Sequence, residues 1–194
     1  MNKRLEVRLH LQGDQRARLE ALQALFVQAC NFLAPLVAQT RCWNRVGLHH
    51  LAYRQLRERF PQLGSQMACN VIYSVSRAAR KVYQGPGAVA RADGQLPQMK
   101  FLPNAPVYFD RHTLSLKAGR LSLFTLDGRL KFQLNVSPEV EQTLATGKLK
   151  EIVMFQDAQG YVLRLAFGEG DAGEAPGAQE APEFLVVVKE KEAA

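Results

Sequence analysis

No cysteine in this chain has a near neighbour of its own kind. Cys30, Cys42 and Cys69 are odd in number and widely spaced, and no Cys-x-x-Cys pair occurs. A disulfide framework and a zinc ribbon are thereby excluded, and reduced, buried thiols of an intracellular protein are the reading that remains. At the amino terminus, MNKRLEVRLHL has charged residues interrupting every apolar run, so no signal peptide is expected, nor any stretch long enough to span a membrane. The expectation is a cytosolic protein with no membrane partner. Histidines are few, and the adjacent His49 and His50 would leave a helix in different directions. Without a second cluster of ligands, no metal site and no cofactor is expected.

What the chain has is apolar content and positive charge. With 194 residues, 47% of them hydrophobic, it can bury a core as one domain or two small ones. The formal charge is +7, unevenly spread. From Glu169 to Ala194 seven acidic residues face only Lys189 and Lys191, so the preceding 168 residues carry +12. A basic body with an acidic tail suits a polyanionic partner such as nucleic acid. The tail GEGDAGEAPGAQEAPE has the composition of a disordered linker.

The sharpest periodic signal is Gly64 to Gln84. Read as a helix, it places Met67, Val71, Val75, Ala78 and Val82 on an apolar stripe. Gln66, Asn70, Tyr73, Arg77, Arg80 and Gln84 fall on a second stripe. Carboxamides can bond base edges and cations can hold phosphates, so Gln66 and Asn70 are candidates for reading DNA bases, with Tyr73, Arg77, Arg80 and Lys81 on the backbone. A solvated face would have the same composition. Before it lies a helix from about Leu48 to Phe60 that buries Ala52, Leu56 and Phe60 and displays Arg54, Arg57 and Arg59. Earlier still, Asp14 can cap a long helix with the stripe Leu19, Leu22, Phe26, Ala29, Leu33 and Leu36. Pro35 should kink or loosen its last turns.

Around these helices the period is two. Lys3 to Gln12 alternates as a half-buried strand. Met99 to Leu102, Val107 to Phe109, Thr113 to Leu116 and Arg120 to Thr125 are short strand candidates beyond a loop at Gly85 to Gln98. Asp127-Gly128 predicts a two-residue hairpin turn pairing Thr125 with Leu130, Leu123 with Phe132 and Leu121 with Leu134. The opposite face then shows Phe124, Arg129, Lys131 and Gln133, suited to a nucleic-acid backbone or to solvent. Ser137-Pro138-Glu139 starts a short helix to about Thr146, and a last hairpin runs Glu151 to Gln156 and Tyr161 to Phe167. The first strand is too apolar on one face to stand alone and should join the later sheet. The expected fold is therefore α+β: a small antiparallel barrel with a three-helix insertion after the first strand and a disordered acidic tail. Residues 1–168 form the module, with strand 3–12, helical insert 14–84 and strands within 98–168; residues 169–194 are linker and remnant strand.

LHHLAYRQLRERFPQLGSQMACNVIYSVSRAARKVY, VYFDRHTLSLKAGRLSLFTLDGRLKF and KEIVMFQDAQGYVLRLAF, in that order, resemble blocks in the amino-terminal half of the TnpB proteins. These are transposon-encoded, RNA-guided nucleases of the OrfB type, related to the type V CRISPR effectors. The resemblance implies an OB-like wedge barrel with a helical recognition insert that holds guide RNA, reads a short motif beside the double-stranded DNA target and cradles the heteroduplex. The family continues into a RuvC-like nuclease whose first strand ends in a metal-binding Asp. Phe184 to Val188 looks like that strand, but Lys189-Glu190-Lys191 stands where the Asp motif belongs. No other set of converging carboxylates replaces it, so no catalytic residue and no nuclease activity are expected. The resulting expectation is a nuclease-lacking, RNA- and DNA-binding relative, acting alone or as a subunit of a larger complex. Its alternatives are a truncated transposon remnant and the recognition half of a split nuclease whose catalytic half is a separate chain.

Overall fold

A computed structural model describes residues 3–85, 94, 96–117, 119–168 and 181–188. The fold is α+β, with four α-helices and antiparallel strands among these residues. The chain divides into two compact units, and both are discontinuous. One comprises residues 1–22 and 106–183, the other 23–105 and 184–194.

The first unit is built on a four-stranded antiparallel sheet in the order β1 (Lys3–Arg8), β8 (Gly160–Phe167), β7 (Leu149–Asp157), β3 (Val107–Phe109). As expected from its one-sided apolarity, the first strand joins the last hairpin, with Leu5 opposite Leu165 and Val7 opposite Leu163. Ile152, Met154, Leu163 and Leu165 lie buried in this sheet. A second sheet of three strands, β4 (Leu114–Lys117), β5 (Arg120–Thr125) and β6 (Gly128–Gln133), stands beside it in sequence. A short helix, α4 (Pro138–Thr146), follows with Ser137 Oγ accepting from the Val140 amide and Pro138 in its first turn, which removes an amide that would have no partner there.

The β5–β6 register differs from the expected one by two residues. Thr125 pairs with Gly128, Leu123 with Leu130 and Leu121 with Phe132, so the turn is Leu126-Asp127 rather than Asp127-Gly128. The cause lies in what holds the turn. The Thr125 hydroxyl donates to the Gly128 carbonyl at 2.6 Å, while Arg18 donates to Thr125 Oγ1 and the Asp127 carbonyl at 2.8 and 2.9 Å. An even shift keeps the same residues on the same face, and Leu121, Leu123 and Leu130 are buried as the pattern requires.

The second unit holds most of α1 (Gln15–Thr40), α2 (Arg45–Arg59), a 3-10 turn at Pro61–Leu63 and α3 (Gly64–Gln84). Its core includes Phe26, Leu33, Leu48, Leu56, Met67, Ile72 and Val75. Cys30 is buried here, and burial pushes its thiol up to about 12 against a hydrogen bond with Ser74 that pulls the other way. By length and composition α1 could cross a membrane, contrary to expectation, because no charged residue falls between Glu20 and Arg41. In this fold it is a core helix whose most apolar window is half buried. Its interior polar groups are tied to backbone: Gln23 Nε2 donates to the Ala105 carbonyl at 2.9 Å.

Two strand expectations change. β2 (Gln98–Phe101) does not enter the β1 sheet but pairs with β9 (Leu185–Val188), within the segment expected to be a remnant strand. Met99 and Phe101 are buried while Lys100 and Gln98 face outward beside Val186 and Val188. The far edge of β2 is closed by a side chain. Asn31 on α1 donates to the Phe101 carbonyl at 2.9 Å and accepts from the Phe101 amide at 2.8 Å, bonding as a neighbouring strand would. Consequently the described strands form sheets of four, three and two strands, and their hydrogen-bonded ladder is not closed. The expected disorder at 169–180 and the Lys189-Glu190-Lys191 segment lie outside the described residues, as does most of the 85–98 loop.

Candidate nucleic-acid interface

The residues singled out for nucleic acid sit on two surfaces, one in each unit. On α3 the buried arc is wider than its apolar stripe. Ala68, Asn70, Ser74, Ser76 and Ala79 are buried with Met67, Val71, Ile72, Val75 and Val82, about 240° of a helix turning about 100° per residue. This removes Asn70 from the open face. It is 4% exposed, its amide nitrogen lies 3.6 Å from Met67 Sδ, and it cannot reach a base edge beside the exposed Gln66. Of the expected pair of carboxamides, only Gln66 lies on the open face. Small polar side chains can be buried where a hydrogen bond meets them, as Ser76 Oγ donates to the Trp43 carbonyl, which a count of apolar positions overlooks.

The remaining stripe is half-buried Tyr73, Arg77 and Arg80 with exposed Lys81. On α2, exposed Arg54 pairs with Glu58 at 2.9 Å, one helical turn on, and Arg57 reaches the Pro61 carbonyl at 3.5 Å. The solvent-exposed pair at four-residue spacing adds little stability and leaves Arg54 available at the surface.

The structure adds residues that the sequence reading passed over. Asn44 caps α2, its side chain accepting from the Val46 and Gly47 amides. Just inside the cap, the exposed Arg45 holds its guanidinium 5.2 Å from the centre of the Tyr73 ring, a cation–π distance. Trp43 lies 5.4 Å from Tyr83, the rings tilted by 42°. Its carbonyl accepts from Ser76 Oγ at 2.6 Å. Tyr83 in turn donates to the Pro97 carbonyl at 2.6 Å, and burial raises its pKa. At Gly47 a Cβ would come 2.8 Å from Cys42 Sγ, so a larger residue there would have to displace the Cys42 thiol. The missed signal was RCWNR, the chain's single tryptophan flanked by arginines.

In the other unit, Arg129 and Lys131 are exposed and Phe124 is half-buried. Arg129 lies across its own sheet, donating to Ser122 Oγ, the Ser122 carbonyl and the His112 carbonyl at 2.8, 2.8 and 3.2 Å. Three such bonds fix the guanidinium as a clasp between strands. Lys131 and Phe124 remain on that face.

The charge follows the same division. The helical unit holds twelve Lys/Arg against four Asp/Glu, a net of +8; the other holds thirteen against fourteen, a net of −1. Among the described residues no group of three or more His, Cys, Asp or Glu side chains is gathered closely enough to hold a metal ion. No family model and no curated protein matches this chain.

Proposed function

We propose that this chain is a nucleic-acid-binding module acting through its helical unit. The observation that carries the reading is the concentration of positive charge in that unit, beside the Tyr73 ring already stacked with the Arg45 guanidinium. Arg45, Arg54, Arg57, Arg77, Arg80 and Lys81 contact phosphates, and Gln66 contacts base edges. The resemblance to TnpB gives the finer form: a nuclease-free relative that binds guide RNA and target-flanking DNA, with the β-rich unit as its OB-like wedge. That assignment draws support from the first strand joining the last hairpin across the helical insert.

The test is binding of fluorescently labelled RNA hairpins and duplex DNA across a range of salt. The logarithm of affinity should fall linearly with that of salt, losing about 0.9 in slope per phosphate contact on duplex DNA. Absence of binding at low salt, or affinity indifferent to salt, would overturn the reading. Incubation of the repurified protein with either substrate and Mg²⁺ or Mn²⁺ should give no cleavage; metal-dependent cutting that stays with the chain would refute the nuclease-free form.

A further inference from the structure

We propose that the loop from Trp43 to Arg45 and the adjoining stripe of α3 form a platform for unpaired nucleotides. This rests on the nucleic-acid reading above and adds the form of the ligand. Tyr73, Ser76, Arg80 and Tyr83 follow one another at steps of three, four and three, a single stripe about 15 Å long at about 1.5 Å per residue. The loop is fastened along it at three points: Arg45 over the Tyr73 ring, the Trp43 carbonyl on Ser76 Oγ, and the Trp43 indole against Tyr83. Trp43, Tyr73 and Tyr83 are each half-buried, so the fastening holds the rings while leaving part of each accessible.

Arg41 precedes this loop with φ of +54°, the only non-glycine in the left-handed region among the described residues. Its side chain is bonded to the Gly94 carbonyl. A single left-handed residue directly after the last helical one, Thr40, is a common helix stop, and here it turns the chain into the loop.

Aromatic faces held among arginines are the chemistry of single-strand recognition. Bases within a duplex stack on one another and present only their edges in the grooves, whereas an unpaired base can lay its face on a ring while its phosphate meets a guanidinium. Edge reading by paired carboxamides is weakened here, because Asn70 is buried. The surface therefore favours single strands over duplex.

Trp43 is the chain's only tryptophan, so its emission reports on this site alone. The full chain is titrated with short oligo(U), short oligo(dT) and a mixed-sequence duplex of equal length, following Trp43 fluorescence alongside anisotropy of the labelled ligands. Single strands should quench Trp43 with the midpoint seen by anisotropy, while the duplex binds without quenching. Tyr73→Ala and, separately, Arg45→Gln should each weaken single-strand binding roughly tenfold, as loss of one stacking partner does; Tyr73→Phe should restore it, and Arg45→Gln, which also removes a phosphate contact, should weaken duplex binding as well. Arg45 is exposed, so its variant keeps the test valid should Tyr73→Ala misfold. Single strands that bind with unchanged emission and unchanged affinity for the variants would overturn the platform while leaving nucleic-acid binding intact. No binding of any of the three ligands at low salt would overturn both.

Discussion

The two units of this chain differ in how far acids answer their arginines. In the β-rich unit the guanidinium groups close the structure on itself. Arg8 grips Asp157 with both terminal nitrogens at 2.8 and 2.6 Å, Arg164 meets Glu6 at 2.8 Å, Arg18 anchors the β5–β6 turn and Arg129 clasps its sheet. In the helical unit four acids cannot balance twelve cations, and Arg45 is stacked on a ring instead of a carboxylate. The lesson is that a whole-chain charge says little until it is divided by unit. A net of −1 and a net of +8 give the same total as an even spread, with a different physical consequence.

The largest effect expected is on the comparison itself. Replacing Arg45, Arg77, Arg80 and Lys81 together by Ala should lower nucleic-acid affinity by roughly a thousandfold and reduce the salt slope by about four. Replacing Phe124, Arg129 and Lys131 should change affinity much less. Comparable losses in the two sets, measured by anisotropy across salt, would break the distinction between the units.

Next comes a structural test confined to the helical unit. Asn31→Leu strips both partners from the Phe101 backbone and should cost roughly 2 to 3 kcal/mol in urea unfolding. Amide exchange should quicken in β2 and β9 and stay unchanged in β7 and β8. A smaller cost, roughly 1 to 2 kcal/mol, is expected for Asn70→Ala, which removes a buried carboxamide and should leave base preference as it was. Gln66→Ala should do the reverse, with unaltered unfolding and relaxed discrimination in a randomised-flank selection. If the two variants exchange these effects, the burial of Asn70 has been misjudged.

The smallest effect is on the acid side and belongs to the β-rich unit. Bonding to Arg8 holds the Asp157 carboxyl well below the usual carboxylate range. A depressed folded-state pKa contributes stability above the unfolded pKa of about 3.9 and loses it as pH falls toward the folded value. Asp157→Asn should therefore flatten the decline of stability below about pH 4 and leave neutral-pH binding untouched. Parallel acid-unfolding curves for variant and parent would show that the pair contributes nothing.

Local pattern was legible in the sequence and long-range pairing was not. The α3 helix begins and ends at Gly64 and Gln84 as its periodicity predicts, and β3, β5 and the β7–β8 hairpin fall where turn residues place them. Apolar alternation was enough to send β1 into the later sheet. It could not choose between partners of equal apolarity, which is why the β2–β9 pair was missed and a single small barrel expected. At the candidate interface, the cations were evident from residue type alone. The Arg45–Tyr73 and Trp43–Tyr83 contacts required knowing how α2 folds back on α3, and the loss of Asn70 required knowing that Ser74 and Ser76 are interior.

The interleaving of the two units also bears on how the chain folds as it is made. α2 and α3 are neighbours in sequence and can pack as soon as both exist. β1 must wait for β8, since Val7 pairs with Leu163, and β2 must wait for β9, since Gln98 pairs with Val188. Contacts of such sequence separation carry a large loop-closure entropy and form slowly. During synthesis the helical hairpin therefore stands as an early foldon with an unpaired strand beside it. The Asn31 carboxamide, already emerged on α1, can hold one edge of that strand until its partner arrives.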